Sequence, residues 1–542
     1  MPILINNWER TNLAFIALVI FAGLLFLVGL EKRHLWNADE PRVAGIAAEM
    51  ARSGDLVVPR LNGRPFLEKP PLYFWASSSA FRLFGENTYT ARLISALSAI
   101  GGVVIVFLLA RSMHFSIRGA FISGLVLATS TEYWSIGRRA LTDMMLCFFI
   151  TAAIACFYQV ARSTRGKILW YIGFVTSLGC AVLTKGLVGI IIPASVLVIW
   201  LIVEREFSWR KWFILLTGFI FSCVPFLIWT WLLYNDLGKE AVYEAVWVNN
   251  FGRFTGQYPQ HIEPFYYYLT KFPAQFIPWT FFLPLAGILF IRETRKHDKT
   301  NPSLFLLTWL IVPSILLSIS AGKRSLYLLP IYPAAALAVG YTLDIVLSDL
   351  KKPTVWFDIP VTILAGIAVI VPIVFLGMGL YFHQPFSILA LVFIPGFGIG
   401  LYAYHLLIRK NLNGFFQMLV PSFLVIFLTF DMAIAPIFNQ KESFEPLFQY
   451  ARKLRSEGVE LGLFKPEERL DGAAVFYLGE CVPRFDSSEA VNEFVNSGKK
   501  TMIITREENI EKNPDICIIN SFNIDNKTMV IFASKTFAED KK

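Results

Sequence analysis

Charge is what this 542-residue chain has least of: Asp, Glu, Lys and Arg make up 16% of it, against about 25% in ordinary globular proteins. Set beside 55% hydrophobic residues and a mean hydropathy of +0.54, the deficit excludes a disordered scaffold, a secreted toxin and a cytosolic enzyme of usual composition. Cysteine is scarce as well. The six (Cys147, Cys156, Cys180, Cys223, Cys481, Cys517) include no C-x-x-C pair, which leaves out a metal knuckle or a dithiol redox motif. Only Cys481 and Cys517, both in the polar tail, are placed to pair. No G-x-G-x-x-G unit or P-loop is present, so no nucleotide cofactor is expected, and no H-x-x-H or H-E-x-x-H spacing signals a metal site built by protein alone.

What the chain has in abundance is long apolar runs. They fall at 11–30, 91–111, 117–134, 140–161, 168–185, 187–203, 211–234, 275–291, 303–319, 326–346, 359–381, 386–408 and 415–437. Each approaches the ~20 residues that a bilayer requires, so the fold class is a polytopic α-helical membrane protein with about 13 transmembrane helices. The first run is flanked by Glu9, Arg10, Lys32 and Arg33 with no small-x-small cleavage site, and reads as an anchor, not a removable signal. Residues 70–84 are apolar but short and contain Arg82. Positive-inside bookkeeping decides their status: if they do not cross, cytoplasmic loops carry 16 Lys and Arg against 8 in the opposite loops from residue 135 onward, and if they cross, the bias inverts. The segment is therefore expected at the interface, with the N-terminus cytoplasmic and the tail outside.

Charge also divides the chain. From Gln440 on there are 15 Lys and Arg against 18 Asp and Glu, leaving 34 against 22 before it. Two domains follow: a membrane part, 1–439, with interfacial outer-loop helices over about 31–84, and a small soluble extracytoplasmic α/β domain, 440–542. In the tail, FEPLFQYARKLRSEG and SSEAVNEFVNSG have helical periodicity, whereas AAVFYL, TMIIT, DICII and TMVIFA are β-rich runs. The basic balance of the membrane part points to lipid phosphate and membrane topology, not to nucleic acid.

This topology gathers most boundary charges on the outer face: Asp39, Glu40, Arg42, Glu68, Lys69, Arg138, Arg139, Asp143, Lys185, His261, Glu263, Lys323 and Arg324. Charges at bilayer depth cost ~2.5–3.5 kcal/mol each even on lenient scales, so they are expected to pair or to face a wet cavity. Singly, each has a plain reading. Asp39 ahead of Pro41 is a helix cap, Glu40 complements the helix dipole, and Val43, Ile46, Ala47 and Met50 repeat like an amphipathic surface helix. Glu68-Lys69 is a solvated pair, His261 a hydrogen-bonding residue, and the aromatics Tyr73, Trp75, Phe265, Tyr266, Tyr267 and Tyr268 an interfacial belt or, alternatively, a platform for a sugar ring. Gly252 and Gly256 allow tight backbone in the loop that holds His261.

In order along the chain, ADEPRVAGIAAEM, GDLVVPRLNGRPFLEKPPLYFW, GRRALTDMML, LTKGLVGIIIP, NFGRFTG with HIEPFYYY, and GKRSLYLLPIYPA resemble the bacterial membrane glycosyltransferases of the GT-C fold. They are most like the aminoarabinose transferases that modify lipid A and relatives near the protein O-mannosyltransferases. The resemblance covers roughly residues 30–345. It implies that Asp39 and Asp143 are the catalytic acids, that Glu68 and Lys69 of Glu-Lys-Pro lie near the carrier-lipid phosphate, and that His261 joins Glu68 in holding a divalent metal.

The expected chemistry is transfer of a sugar from a polyprenyl phosphate, such as undecaprenyl phosphate, to a lipid A, glycan or protein acceptor on the outer face of the inner membrane. Lys69 with Arg42, Arg60, Arg138, Arg139, Lys323, Arg324 and Tyr327 would hold the donor phosphate, arginine being favoured where two oxygens are gripped together. Tyr73, Trp75, Tyr266 and Tyr267 would line the sugar or lipid. The competing reading is a transporter or flippase for a lipid-linked substrate; the absence of an internal repeat and the clustering of ionisable residues at one face favour the enzyme.

Overall fold

A computed structural model describes residues 7–36, 39–163, 165–252, 261–294, 301–348, 355–384, 386–497, 500–510 and 516–534. Arg253 and Gly256 of the long loop, and the loop cations Arg295, Lys296, Lys299, Lys351 and Lys352, lie outside the described residues. The chain forms two compact units: Met1–Val28, Leu67–Tyr73 and Ser95–Phe430 make the first, and Gly29–Phe66, Phe74–Ile94 and Asp431–Lys542 the second. The division is not a single cut at 439, because 29–66 and 74–94 group with the tail.

In chain order the first helices are α1 (Asn7–Leu27), α2 (Asp39–Ser53), α3 (Leu72–Phe84), α4 (Thr88–Ser112), α5 (Ile117–Thr129), α6 (Thr131–Gly137), α7 (Thr142–Arg162), α8 (Lys167–Lys185), α9 (Val188–Val203), α10 (Trp209–Ser222) and α11 (Val224–Leu237). Further apolar helices cover Leu283–Thr294, Ser303–Ile319, Tyr332–Ser348, Val355–Tyr381, Phe386–Ile408 and Leu412–Thr429. Each of the apolar runs in the sequence thus coincides with helix, the form in which a backbone satisfies its own hydrogen bonds without water. Among the described residues, eight helices are long and apolar enough to cross a bilayer. A ninth counts if Tyr267–Gln275 and Trp279–Thr294, bent by 109°, form one span, and four apolar helices are shorter. The chain is a polytopic helical membrane protein. Helix α3 has 13 residues, about 20 Å of rise, which falls short of a hydrocarbon core of about 30 Å.

Charges inside the first unit sit at helix ends, in pairs. Arg118 at the start of α5 reaches Asp344 at 3.2 Å, and Arg162 at the end of α7 reaches Glu204 at 2.6 Å. Pairing removes most of the penalty of placing either charge near lipid.

In the second unit, α2 departs from the expected half-exposed surface helix. Asp39, Glu40, Val43, Ala44, Gly45, Ile46, Ala47, Ala48, Glu49 and Met50 are all buried. The helix Glu468–Leu478 packs along it, and the two backbones touch at paired glycines. A Cβ on Gly45 would lie 2.6 Å from the Cα of Gly472, and one on Gly472 would lie 2.4 Å from the carbonyl oxygen of Pro41. That helix contains AAVFYL, which local composition assigns to a strand. The correction has a physical cause: Leu470, Ala473, Ala474 and Tyr477 recur at helical spacing and are buried. The flanking ERLDG supplies the first turn, so burial against α2 outweighs the β preference of Val475 and Phe476.

The other tail segments follow their patterns. Glu445–Ser456 and Ser488–Val495 are helices. With β1 (Arg60–Leu61) and β2 (Arg64–Pro65) forming a separate ribbon, the tail strands are β3 (Glu460–Phe464), β4 (Arg484–Phe485), β5 (Thr501–Arg506), β6 (Ile516–Ile524) and β7 (Lys527–Ser534). They form one sheet in the order β4-β3-β5-β7-β6. The β6–β7 hairpin turns at Asp525 and Asn526, both at positive φ, the backbone that a two-residue turn demands. Phe464, Val491, Val495, Ile503 and Phe532 form the core beneath the sheet. Cys481 and Cys517 are free and do not pair.

One guanidinium organises the segment ahead of α2. Arg92 on α4 donates to the carbonyls of Leu30, Arg33 and His34 at 2.6–2.7 Å and to both oxygens of Glu40 at 2.8 and 3.1 Å. Both side chains are 1% exposed, so Glu40 is an interior ion-pair partner and not simply a first-turn charge facing solvent. Replacing Arg92 with Met leaves that carboxylate buried without its strongest partner. We expect Arg92→Met to destabilise the fold by about 3–5 kcal/mol, measured as thermal unfolding of the purified protein in detergent, with Glu40→Gln costing less.

Candidate active site

The expected residues fall in both units. In the second, Asp39 is the first residue of α2 and is buried; Arg42, one turn on, donates Nη2 to its Oδ1 and Nη1 to Glu468 Oε2. The spacing of three residues places both side chains on one helix face. Arg42 also lies over the Phe66 ring, 5.5 Å from its centroid. With two carboxylates on its fork, Arg42 is placed to orient Asp39.

Arg60 is half-buried on β1, its Nε 3.5 Å from Asp55. Trp75 is half-buried on α3 and donates its indole N–H to the Leu56 carbonyl at 2.7 Å. Nearby, Glu49 accepts from the Gly63 N–H at 3.1 Å. Burial pushes its carboxyl above the ordinary range, and the Gly63 N–H and the Cys481 side chain oppose that shift.

The first unit holds the second acid. Asp143 lies buried in the first turn of α7 and receives Nζ of Lys185, the last residue of α8. The same ammonium sits 4.5 Å from the centroid of the Tyr327 ring. Helix polarity explains the arrangement: a carboxylate suits the amino end of α7 and a cation suits the carboxyl end of α8. Asp143, Lys185 and Tyr327 thus come together from segments separated by up to 184 positions in the numbering. Glu132 on α6 shares this electrostatic neighbourhood with Arg139 and Asp143. Lys185 entered the sequence reading only as one of the outer-face charges, and Glu132 was missed altogether. The available signal for Glu132 was an ionisable residue inside an apolar run counted as a span.

Other expected residues have structural employment. Arg138 closes the end of α1, its Nη1 donating to Leu25 O at 2.6 Å and its Nη2 to Val28 O at 2.7 Å. A cation at the end of a helix complements its dipole and its last carbonyls, so Arg138 acts as a cap of α1. Lys323 is buried, with Nζ donating to Glu263 O at 2.9 Å and Ser320 O at 2.6 Å, and its backbone N–H to His261 O at 2.9 Å. It joins two loops. Tyr73 is fully buried, its hydroxyl 2.9 Å from Ser95 Oγ, and so offers no face to a sugar.

The other expected residues of this unit are half-buried or exposed. Glu68 and Lys69 are half-buried just ahead of α3, following Leu67, whose carbonyl accepts from Asn249 at 3.2 Å. Arg139, Arg324 and Tyr327 are half-buried, and the Arg324 carbonyl accepts from the Tyr268 hydroxyl at 3.4 Å. Tyr266 is exposed, with its ring 5.5 Å from Phe265, while Tyr267 is half-buried, 5.3 Å from Tyr268 and capped by Lys271. His261 is exposed and at positive φ. Among the described residues no group of three or more His, Cys, Asp or Glu could hold a metal ion.

The fold has counterparts among known proteins. The chain is 29% identical over 379 residues to the undecaprenyl phosphate-alpha-4-amino-4-deoxy-L-arabinose arabinosyl transferase 2 of Proteus mirabilis, a match covering 69% of this chain and 67% of that protein. It is 28% identical over 504 residues to the transferase of the same description from Pectobacterium atrosepticum, without the numeral, covering 89% and 88%. Among solved structures, ArnT from Cupriavidus metallidurans bound to undecaprenyl phosphate superposes with a TM-score of 0.78 at 21% identity, over 96% of this chain and 98% of that one, which shows a shared fold. The profile of the dolichyl-phosphate-mannose-protein mannosyltransferase family matches residues 11–290. This chain, with its buried acids set against cations at helix ends, belongs to that family of membrane glycosyltransferases.

Proposed function

We propose that the protein transfers a pentose, 4-amino-4-deoxy-L-arabinose, from undecaprenyl phosphate to a phosphate of lipid A at the outer face of the bacterial inner membrane. The observation that carries this reading is a shared design: both acids expected to serve the reaction, Asp39 and Asp143, are buried in the first turn of a helix, each against one cation. The relatives' activity supports the choice of sugar and carrier. Thirteen spans, a cytoplasmic N-terminus and an extracytoplasmic α/β tail belong to the same proposal. The transporter alternative has no observation in its favour.

In the reaction, the acceptor oxygen attacks the anomeric carbon, the bond from that carbon to the carrier's phosphate oxygen breaks, and the lipid phosphate leaves with the electron pair. A lipid A phosphate arrives already ionised, so no proton needs removal. Asp39 then acts by position and charge, holding Arg42 and the approach of the nucleophile. Lys69, Arg139 and Arg324 provide the cations for the departing phosphate, with arginine suited to gripping two oxygens. Lys185, fixed by Asp143 and by the Tyr327 face, is a fourth cation for the same charge. Trp75, Tyr266 and Tyr267 offer ring faces to the sugar or the lipid.

A divalent ion would have Glu68 and His261 as protein ligands, two where a structural zinc site uses about four. Such an ion would share its coordination with donor oxygens and help to hold the phosphate, and no step above depends on it. Turnover that survives chelation and is unchanged by zinc or manganese would remove the ion from the proposal.

The deciding assay is transfer from a radiolabelled undecaprenyl-phosphate-aminoarabinose donor to lipid A by purified protein in detergent. Asp39→Asn is expected to lower turnover by at least about 100-fold, in the range of losing an electrostatic stabiliser, with unchanged melting temperature; near-normal turnover would refute the role. Lys185→Met should cost about 10- to 100-fold in kcat/KM and leave Asp143 buried against no ammonium, so Asp143→Asn in that background should add little further loss. Lys69→Ala should raise donor KM more than it lowers kcat, as expected for a group that binds the phosphate in ground and transition states alike.

A further inference from the structure

We infer that Glu468, in the tail and 429 positions beyond Asp39 in the numbering, is a positioning residue for sugar transfer, acting on Asp39 through Arg42. The inference rests on the reading that Asp39 serves the reaction.

The geometry is that of a planar fork between two acids. Arg42 presents Nη1 to Glu468 and Nη2 to Asp39, so the plane of one guanidinium is fixed at both ends. The Phe66 ring, 5.5 Å from Cζ, limits tilt about that plane. Backbone contact fixes the distance that the fork must span, since a Cβ on Gly472 would come within 2.5 Å of Arg42 Cα as well as meeting the Pro41 carbonyl.

Glu468 is itself held on both sides. Its neighbour Arg469 is bonded to Glu467 at 2.9 Å and Asp525 at 2.7 Å. Three residues on, Asp471 accepts from Asn62 at 2.9 Å and Arg484 at 2.8 Å. Farther along the same helix, the Val475 carbonyl accepts from Arg52 of α2 at 3.1 Å. The carboxylate therefore comes to Arg42 from a helix bonded to α2 and to the sheet.

Exposure separates positioning from stabilisation. The Glu468 side chain is 49% exposed, and a half-exposed ion pair contributes little to folding. Removing it should leave the fold intact and free Arg42 to take other rotamers, which loosens the Asp39 carboxylate. Displacements of that kind far from the chemistry act on kcat, because substrate binding elsewhere is untouched.

The test uses the full-length protein in detergent with the labelled donor and lipid A. Glu468→Ala should lower kcat about tenfold with donor KM within about twofold of wild type, at an unchanged melting temperature. Glu468→Gln, whose amide oxygen still accepts from Arg42, should recover most of the loss. If Glu468 acts through Arg42, the double variant Arg42→Ala/Glu468→Ala should turn over no more slowly than Arg42→Ala alone. Wild-type kcat for Glu468→Ala, a melting temperature lowered in step with activity, or losses that multiply in the double variant would each overturn the inference. Asp39→Asn, assayed in parallel, separates the two layers: if it is inactive while Glu468→Ala is normal, only the role of Glu468 fails; if Asp39→Asn is fully active, the reading of Asp39 fails and the inference with it.

Discussion

The arrangement of the second unit depends on one buried guanidinium. Arg92 takes three backbone carbonyls from the chain between α1 and α2 and a carboxylate from the first turn of α2. A desolvated cation with four acceptor groups has few alternatives, since moving any one strands a charge or a carbonyl without water. The segment from Leu30 to Glu40 is therefore set by hydrogen-bond satisfaction more than by its own helical or turn preference. Asp39, adjacent to Glu40, inherits its place from that network. A residue expected to take part in chemistry is here located by neighbours that do none.

The same economy governs the first unit. Charges are few in this chain, and where they occur in pairs they sit at helix ends: Arg118 with Asp344, Arg162 with Glu204, Lys185 with Asp143. The first two pairs serve to seat helices, while the third adds the face of Tyr327 and belongs to the candidate site. The difference between a structural and a functional pair lies in its surroundings.

Much of this was legible from sequence because lipid imposes a simple rule: an apolar run that crosses it satisfies its backbone as helix, and every run here falls largely in helical segments. The ordered motifs singled out Asp39 and Asp143, and both lie buried in the first turn of a helix. Less was visible where a residue's use depends on a partner distant in the chain. Arg138 and Lys323 have the chemistry of phosphate ligands and spend it on carbonyls of α1 and of two loops. Tyr73, read among exposed aromatics, turns inward to Ser95. AAVFYL has strand composition and helical structure, because α2 is there to bury its face, and no local window contains α2. Glu132 was hidden by averaging, one carboxylate in an otherwise apolar stretch.

The crossing of Gly45 and Gly472 carries a lesson for exchange between homologues. Neither position has room for a methyl group, so any drift in the path of one helix must be matched by the other, more than 400 residues away in the sequence. A graft that imports only the last hundred residues of a relative would bring one half of a fitted joint. The natural module for recombination is discontinuous: the tail travels with 29–66 and 74–94, and the membrane helices between them stay behind.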